Sequence, residues 1–184
     1  MKIFPAGLVD QDIEIFGHDF KAGCLHNGQR KSFQEFPPEL VEDLQEKYNN
    51  HPTAKKALSH WGIKEEDQLE RFTFCMFAGF DHVPDFIDNA GLGAPEYHNH
   101  CGQRGDCPYE GKCCSGLVVE NGKLSPREIE VAALIGKCYS DKLICFELGI
   151  SQETLRHHKN SIERKTGVFG KVGIAIVAHK YKLT

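Results

Sequence analysis

Apolar positions near the start of the chain alternate with polar ones, which is the spacing of a half-buried strand. The alternation is clear at Ile13 and Ile15 and continues to Phe20, within residues 2–36. The tripeptide His26-Asn27-Gly28 has the composition of a tight turn. We therefore predict a β-hairpin or a small sheet in this segment.

Helical spacing replaces the alternation after Pro37-Pro38. In residues 38–50 the apolar positions recur at intervals of one helical turn, which predicts an amphipathic helix. A helical turn is predicted to start at Pro52, and a longer helix with acidic residues near its start covers residues 64–80. Glycines and prolines in residues 84–116 predict irregular structure. The N-terminal part of the chain is therefore predicted to be α+β.

The pattern of residues 124–183 predicts four short helices, preceded by a turn and linker at residues 118–123. Ser125 is a candidate N-cap, because Pro126 follows it and Glu128 completes a capping box. Serines also precede the second and third helices, at Ser140 and Ser151. Glycines are placed to end these two helices, at Gly149 and Gly167.

The predicted helices divide into inward and outward faces. Expected inward residues are Ile129, Ala132, Ala133 and Ile135 in the first helix, Leu143, Ile144 and Leu148 in the second, and Leu155 and Ile162 in the third. The outward face of the third helix carries Gln152, Arg156, His157, Lys159 and Asn160. Arg binds guanine and Asn binds adenine in the major groove, while Lys, Ser and Thr anchor phosphates. This layout predicts a DNA-binding helix-turn-helix; the alternative is a helical bundle whose charges are only solvated.

Several fixed spacings in this segment resemble the LuxR/GerE-type C-terminal helix-turn-helix. They are Leu124-Ser125-x-Arg127-Glu128-x-Glu130-Val131, Ser140-x-Lys142-x-Ile144, Leu148-Gly149-Ile150-Ser151, and Thr154-Leu155-Arg156-x-His158-x-x-x-Ile162-x-x-Lys165, followed by Val168. The resemblance covers about the last third of the chain. It implies a four-helix DNA-binding domain whose last helix mediates dimerisation. The fourth region of a sigma factor shares the helix start and the turn, but the spacing from His158 to Lys165 favours the LuxR type.

The resemblance also implies roles for individual residues. Base edges would be contacted by Arg156, His157 and Asn160, and phosphates by Lys142, Ser151, Thr154 and Lys165. Gln152 and Lys159 belong to the same predicted interface. The family pattern is broken at Cys138, Cys145-Phe146 and Thr166. We expect Cys138 and Cys145 to be helical and buried, as small apolar residues.

Charge is divided unevenly along the chain. The 184 residues have a formal net charge of -4. Residues 1–123 contain 12 Lys and Arg against 20 Asp and Glu, a charge of −8, whereas residues 124–184 contain 10 against 6, a charge of +4. The cationic share therefore coincides with the predicted DNA-binding segment. We predict two domains, residues 1–118 and 119–184.

The first domain lacks the patterns of a phosphoacceptor receiver or an autoinducer pocket, because residues 84–116 interrupt any alternation of strands and helices. The sequence shows no secretory signal and no apolar run of about 20 residues, so a cytoplasmic protein is expected. It also shows no catalytic constellation of acids, bases or nucleophiles, so we predict that the protein is not an enzyme.

Four cysteines cluster in the segment HNHCGQRGDCPYEGKCC: Cys101, Cys107, Cys113 and Cys114. In a reducing compartment such a cluster favours metal ligation over disulfides, and four thiolate or imidazole ligands form a closed zinc site. The adjacent Cys114 is the weakest of the four. Alternates for the fourth ligand are His98, His100, Cys24 and Cys75. An iron–sulfur cluster is the alternative cofactor.

Taken as a whole, the sequence predicts a sequence-specific transcriptional regulator that binds double-stranded DNA as a homodimer. Its predicted fold is an α+β N-terminal domain with a Cys-rich metal-binding loop, plus an all-α four-helix C-terminal domain. The alternative is an iron–sulfur or metal/redox sensor whose output is DNA binding. No pattern identifies a small-molecule effector.

Overall fold

The structure is a computed structural model that describes residues 4–80, 83–95, 97, 101–103, 107–181 and 183–184. The chain divides into two structural units, Met1–Ser115 and Gly116–Thr184. We call them the N-terminal unit and the C-terminal unit.

An antiparallel sheet begins the N-terminal unit. Its long strands are β1 (Ile13–His18), β2 (Lys21–His26) and β3 (Gln29–Ser32). Two short strands, β4 (Phe86–Ile87) and β5 (Gly91–Leu92), complete the order β3-β2-β1-β4-β5. The predicted small sheet is present, but β4 and β5 fall where irregular structure was expected, because two-residue strands carry no periodicity.

Two tight turns set the register of the long strands. Asn27 and Gly28 join β2 to β3 with φ of 52° and 72°, which suits a primed hairpin turn. Asp19 and Phe20 join β1 to β2 with φ of 47° and 61°. A left-handed conformation is unfavourable for a residue as bulky as Phe20. The Phe20 ring packs on Phe74, with centroids 5.5 Å apart, which holds it there.

Three α-helices lie between β3 and β4 in the chain: α1 (Pro38–Asn49), α2 (Pro52–His60) and α3 (Glu65–Phe77). The three helices predicted from the spacing are all present. Helix α3 packs on β1 and β2. A Cβ at Gly17 would lie 2.5 Å from the Phe74 ring, so this approach requires glycine. The largest fully buried side chains of this core are Ile13, Ile15, Leu40, Leu44, Leu58, Phe72 and Phe77.

The C-terminal unit consists of a short hairpin and four helices. The hairpin strands are β6 (Val118–Val119) and β7 (Gly122–Lys123). The helices are α4 (Pro126–Gly136), α5 (Asp141–Leu148), α6 (Gln152–Thr166) and α7 (Gly170–Lys180). All four predicted helices are confirmed. The hairpin corrects the expectation of an all-α domain preceded by a linker.

The first three helices of this unit begin at the predicted serines. Ser125 Oγ accepts the Glu128 N–H at 3.3 Å, and Glu128 Oε2 accepts the Ser125 N–H at 2.7 Å, so the capping box is complete. Ser140 and Ser151 each accept the backbone N–H three residues on, at 3.3 and 3.0 Å. Left-handed glycines end α5 and α6, Gly149 and Gly167.

Most predicted core positions of this unit are buried, with Ile135, Ile144, Leu155 and Ile162 at most 1% exposed. Two predictions were wrong. Leu143 is 40% exposed, because Ile144 alone fills the core side of the short α5. Cys138 is exposed and lies beyond the end of α4, with φ of 62°. It takes the left-handed position in which glycine is usual, whereas Cys145 is half-buried on α5.

Candidate nucleic-acid interface and thiol cavity

The turn between α5 and α6 positions the start of α6. Helix α5 ends at the left-handed Gly149, and Ser151 then caps α6. Leu155 and Ile162, both almost wholly buried, fix α6 against the core. The opposite face is exposed to solvent and carries Gln152, Thr154, Arg156, His157 and Asn160. Five of the predicted DNA-binding residues are therefore on one accessible surface.

Glu153 lies within this surface and contacts two of its side chains, Arg156 and His157. Its Oε2 accepts a hydrogen bond from Arg156 Nε at 3.0 Å, and its Oε1 accepts one from Arg156 Nη2 at 2.5 Å. The same Oε1 is 3.0 Å from His157 Nε2. Hydrogen bonding from Arg156 lowers the pKa of Glu153. Such exposed pairs add little to stability, so the carboxylate mainly orients Arg156.

The sequence prediction did not include Glu153. The signal was present, because residues three and four apart on a helix are neighbours, and Glu153 has these spacings to Arg156 and His157.

Lys159 is turned toward the interior of the unit. Its Nζ lies 2.7 Å from Asp141 Oδ2 at the start of α5. Lys171 Nζ, on α7, lies 3.0 Å from the other oxygen of Asp141. The hydrogen bonds from Lys159 and Lys171 lower the pKa of Asp141. Asp141 therefore connects α5, α6 and α7, and Lys159 has an internal contact in addition to the predicted DNA contact.

Lys165 is paired with the capping-box residue Glu128. Its Nζ lies 2.7 and 3.0 Å from the two carboxylate oxygens of Glu128, which is 5% exposed. Burial disfavours the charged form of Glu128, but hydrogen bonds from Lys165 and Ser125 outweigh it and lower the pKa. The predicted phosphate contact of Lys165 remains a prediction, whereas the pair that joins α6 to the start of α4 is observed.

The other residues predicted to contact phosphates lie near helix starts. Lys142 is exposed in the first turn of α5. Ser151 and Thr154 are exposed at the start of α6, with their hydroxyl oxygens 2.9 Å apart. The start of a helix presents backbone N–H groups and a partial positive charge, which suits a phosphate oxygen.

The fold of this unit is that of a helix-turn-helix domain, with an exposed polar second helix held by a buried apolar face. The sequence model of the bacterial regulatory proteins of the luxR family matches residues 122–178. The C-terminal third of the chain is therefore a luxR-type helix-turn-helix domain, which confirms the resemblance drawn from its motifs. Proteins with this domain are regulators and generally not enzymes, and the domain suggests a DNA-binding transcription regulator.

The match leaves residues 1–121 unassigned. Comparison with curated proteins and with solved structures gives no match. Among the described residues, no helix is both long enough and apolar enough to span a bilayer.

Five cysteines line one small cavity in the N-terminal unit, which we call the thiol cavity. Cys75 comes from α3, and the other four come from the loop that follows β5: Cys101, Cys107, Cys113 and Cys114. The cavity has a volume of about 20 Å³. Its other lining residues are mostly aromatic: Phe20, Trp61, Phe74 and Tyr109, with Gln103 and Glu110.

Burial and hydrogen bonding distinguish these thiols from one another. Burial raises the pKa of Cys75 strongly and that of Cys113 to about 12. Cys114 Sγ accepts a hydrogen bond from the Gly111 N–H at 3.2 Å. Burial also raises the pKa of Cys107, although a backbone hydrogen bond from Tyr109 opposes the shift.

Within the described part of the chain, no group of three or more His, Cys, Asp or Glu side chains is arranged to hold a metal ion. Cys24 is fully buried in β2, where burial raises its pKa to about 11, and it does not line the thiol cavity. His98 and His100 lie outside the described residues. Metal ligation by the loop cysteines therefore remains a prediction.

Proposed function

We propose that the protein is a sequence-specific transcriptional regulator that inserts α6 into the major groove of double-stranded DNA. The observation that carries the proposal is the exposed face of α6, which presents Arg156, His157 and Asn160 on a luxR-type domain. Arg156 is suited to guanine O6 and N7, and Asn160 to adenine N6 and N7. Lys142, Ser151 and Thr154 would position the helix through phosphates.

The test is the substitution Arg156→Ala, measured on an operator obtained by selecting bound oligonucleotides. We expect roughly 5- to 150-fold weaker binding to that operator and little change on unrelated DNA, because a bidentate contact to one base is lost. The measurement is a binding titration at constant salt, since phosphate contacts make affinity depend on salt.

Arg164→Ala is the matched control. Arg164 is also an exposed arginine of α6, and its guanidinium donates to Ser161 Oγ at 3.3 Å. The substitution Arg164→Ala removes the same charge as Arg156→Ala, so it should weaken binding to all sequences alike. Equal losses on operator and unrelated DNA for Arg156→Ala would reject the assignment of Arg156 to a base.

A stripe of exposed apolar residues that begins at the N-cap of α7 and continues along the helix supports a homodimer. Phe169, Val172 and Ile176 recur at helical spacing and are 87%, 75% and 63% exposed. Large apolar side chains in a row favour contact with another protein surface. We propose that two copies pair through this stripe, so that two α6 helices bind successive half-sites. Val172→Glu should give a monomer in sedimentation experiments and lower the affinity for the operator.

We further propose that a metal stabilises the N-terminal unit, and that the protein acts in the cytoplasm, where bacterial DNA is accessible. The grouping of five cysteines at the thiol cavity supports the metal. Zinc is the proposed ion. The competing proposal is an iron–sulfur cluster that makes this unit a redox sensor, with DNA binding as its output.

A further inference from the structure

We propose that the thiol cavity binds one zinc ion through the thiolates of Cys75, Cys101, Cys107 and Cys114, and that Cys113 is not a ligand. The inference deepens the metal stabilisation proposed above, on which it rests, and it is independent of DNA binding. It identifies Cys75 of α3 as a ligand, and it assigns different roles to the adjacent residues Cys113 and Cys114.

The donors around the cavity favour zinc. Five of its lining residues are cysteines and four more are aromatic, so sulfur is the prevailing donor atom. Four thiolates in tetrahedral array are a common structural zinc site. Cys75 lies on α3, within the core of the unit. A bond from Cys75 to the ion would therefore fasten the long loop to the helical core.

Hydrogen bonds select Cys107 and Cys114. A metal-bound thiolate is a strong acceptor, and N–H groups directed at it stabilise its negative charge. Cys114 accepts the Gly111 N–H, and Cys107 accepts a backbone hydrogen bond from Tyr109. Both sulfurs therefore have the donors that a ligand sulfur needs.

Cys113 is oriented differently. Its Sγ donates to the backbone oxygen of Ala54 at 3.9 Å, and the residue is 1% exposed. Cys113 therefore lies against α2 in the core, whereas Cys101, Cys107 and Cys114 are only half-buried. Cys113 therefore serves as a small apolar residue of the core.

Nearby cations compensate the charge of the proposed site. Zinc with four thiolates has a net charge of −2, which is costly in an apolar cavity unless it is balanced. The Arg71 guanidinium lies 4.6 Å from the ring centroid of Phe20 and 5.3 Å from that of Trp61. Lys112 Nζ lies 5.6 Å from the ring centroid of Tyr109. Both cations are thus held against rings that line the cavity.

The small size of the cavity favours a single ion. Its volume of about 20 Å³ is close to the ~10–15 Å³ that a single water requires. An iron–sulfur cluster also binds through cysteine thiolates, so the zinc measurement distinguishes the two cofactors. Zinc binding would draw the thiols inward, since the described side chains are not yet arranged around an ion.

The experiment measures zinc in the full-length protein, purified with reductant and supplied with zinc sulfate. We expect about one zinc per chain and a colourless protein. Alanine substitution at Cys75, Cys101, Cys107 or Cys114 should abolish tight zinc binding, whereas Cys113→Ala should retain it. Cys113→Ala and Cys114→Ala form a matched pair, because each removes one thiol and the two positions are adjacent in the same loop.

Two further measurements separate ligand loss from misfolding. Cys75→His keeps a zinc ligand at that position and should restore binding that Cys75→Ala loses. Far-UV circular dichroism reports whether each variant keeps its helices, while Trp61, the single tryptophan of the chain, reports the cavity that it lines. Titration with cobalt(II) should give the visible absorption of a tetrahedral thiolate site in the wild type and in Cys113→Ala.

The proposal is overturned by any of three results: no zinc in the wild type, zinc retained in Cys75→Ala, or a brown protein that contains iron and sulfide. Loss of zinc from a folded Cys113→Ala would also overturn the ligand assignment. A protein that binds its operator but no zinc would reject this inference alone. A zinc protein that binds no DNA would reject the proposed regulator instead.

Discussion

The two units of this protein differ in the contacts that characterise the interior of each one. In the C-terminal unit, buried or half-buried ion pairs join the helices: Glu128 with Lys165, and Asp141 with Lys159 and Lys171. In the N-terminal unit, aromatic rings and thiols surround a small cavity. Loss of these ion pairs should therefore act on the C-terminal unit, whereas metal supply and reductant should act on the N-terminal unit.

The two units can be followed separately in one sample. Trp61, the single tryptophan, lies in the N-terminal unit. Its fluorescence therefore reports that unit alone, while far-UV circular dichroism reports the helices of both. A substitution in the C-terminal unit should change the circular dichroism transition and leave the Trp61 signal unchanged, whereas a substitution in the N-terminal unit should change both.

The largest effect is expected from Ile162→Ala, which removes a fully buried side chain from α6. Truncating a buried Ile should reduce the free energy of unfolding of the C-terminal unit by about 2–5 kcal/mol. The check is a urea titration followed by circular dichroism. Val118→Thr, at a 67% exposed position of the same unit, should change it by less than about 0.5 kcal/mol. An equal shift of the Trp61 transition would show that the two units unfold together.

A smaller effect is expected from Glu128→Gln, which leaves Lys165 without its carboxylate. Because the pair is largely buried, the loss at neutral pH should be about 1–3 kcal/mol. Glu130→Gln, which breaks the more exposed pair with Arg127 on the same helix, should cost at most about 1 kcal/mol.

The same pair predicts a dependence on pH. The pKa of Glu128 is lower in the folded unit than its ordinary value of about 4.3. Its stabilising contribution is therefore present above that value, and is lost as pH falls through the lower pKa of the folded state. Denaturant titrations from neutral to acid pH should show this loss in the wild type and a weaker one in Glu128→Gln. Identical pH profiles for the wild type and Glu128→Gln would show that Glu128 does not cause the loss of stability in acid.

The smallest effect is expected at the cap of α6. Ser151→Ala removes the acceptor of the Thr154 N–H and should cost about 1 kcal/mol in the C-terminal unit. Ser151→Asp, which can also accept this hydrogen bond, should preserve stability. If both variants are equally destabilised, the hydroxyl acts through something other than capping.

Local signals explain why the C-terminal unit was predicted so fully. The start and end of its helices depend on residues that are neighbours in the sequence, such as Ser125 with Glu128, or Gly149 after α5. The burial of Leu143 was mispredicted because an eight-residue helix has room for few core positions. Glu153 was missed because a carboxylate by itself gives no signal for DNA binding, and its contacts with Arg156 and His157 depend on helical spacing.

The thiol cavity could be predicted only in part. The spacing of Cys101, Cys107, Cys113 and Cys114 gave the cluster, because these residues are close in the sequence. Cys75 was one of several alternates, since its approach to the loop depends on how α3 packs. The aromatic lining, with Trp61 and Tyr109 5.0 Å apart, arises from segments far apart in the chain and left no local pattern.

The contact between Glu153 and Arg156 has a consequence for how a regulator of this kind would tolerate variation in its binding sites. An arginine that finds no hydrogen-bond acceptor at a mismatched base pair costs a large amount of binding free energy. This cost increases the discrimination between matched and mismatched sites. Glu153 lies one helical turn from Arg156 and can accept its hydrogen bonds. At a mismatched site Arg156 would therefore keep an acceptor, and less binding free energy would be lost. We therefore expect a graded response across a set of related promoters, and Glu153→Gln should make the choice among them more stringent.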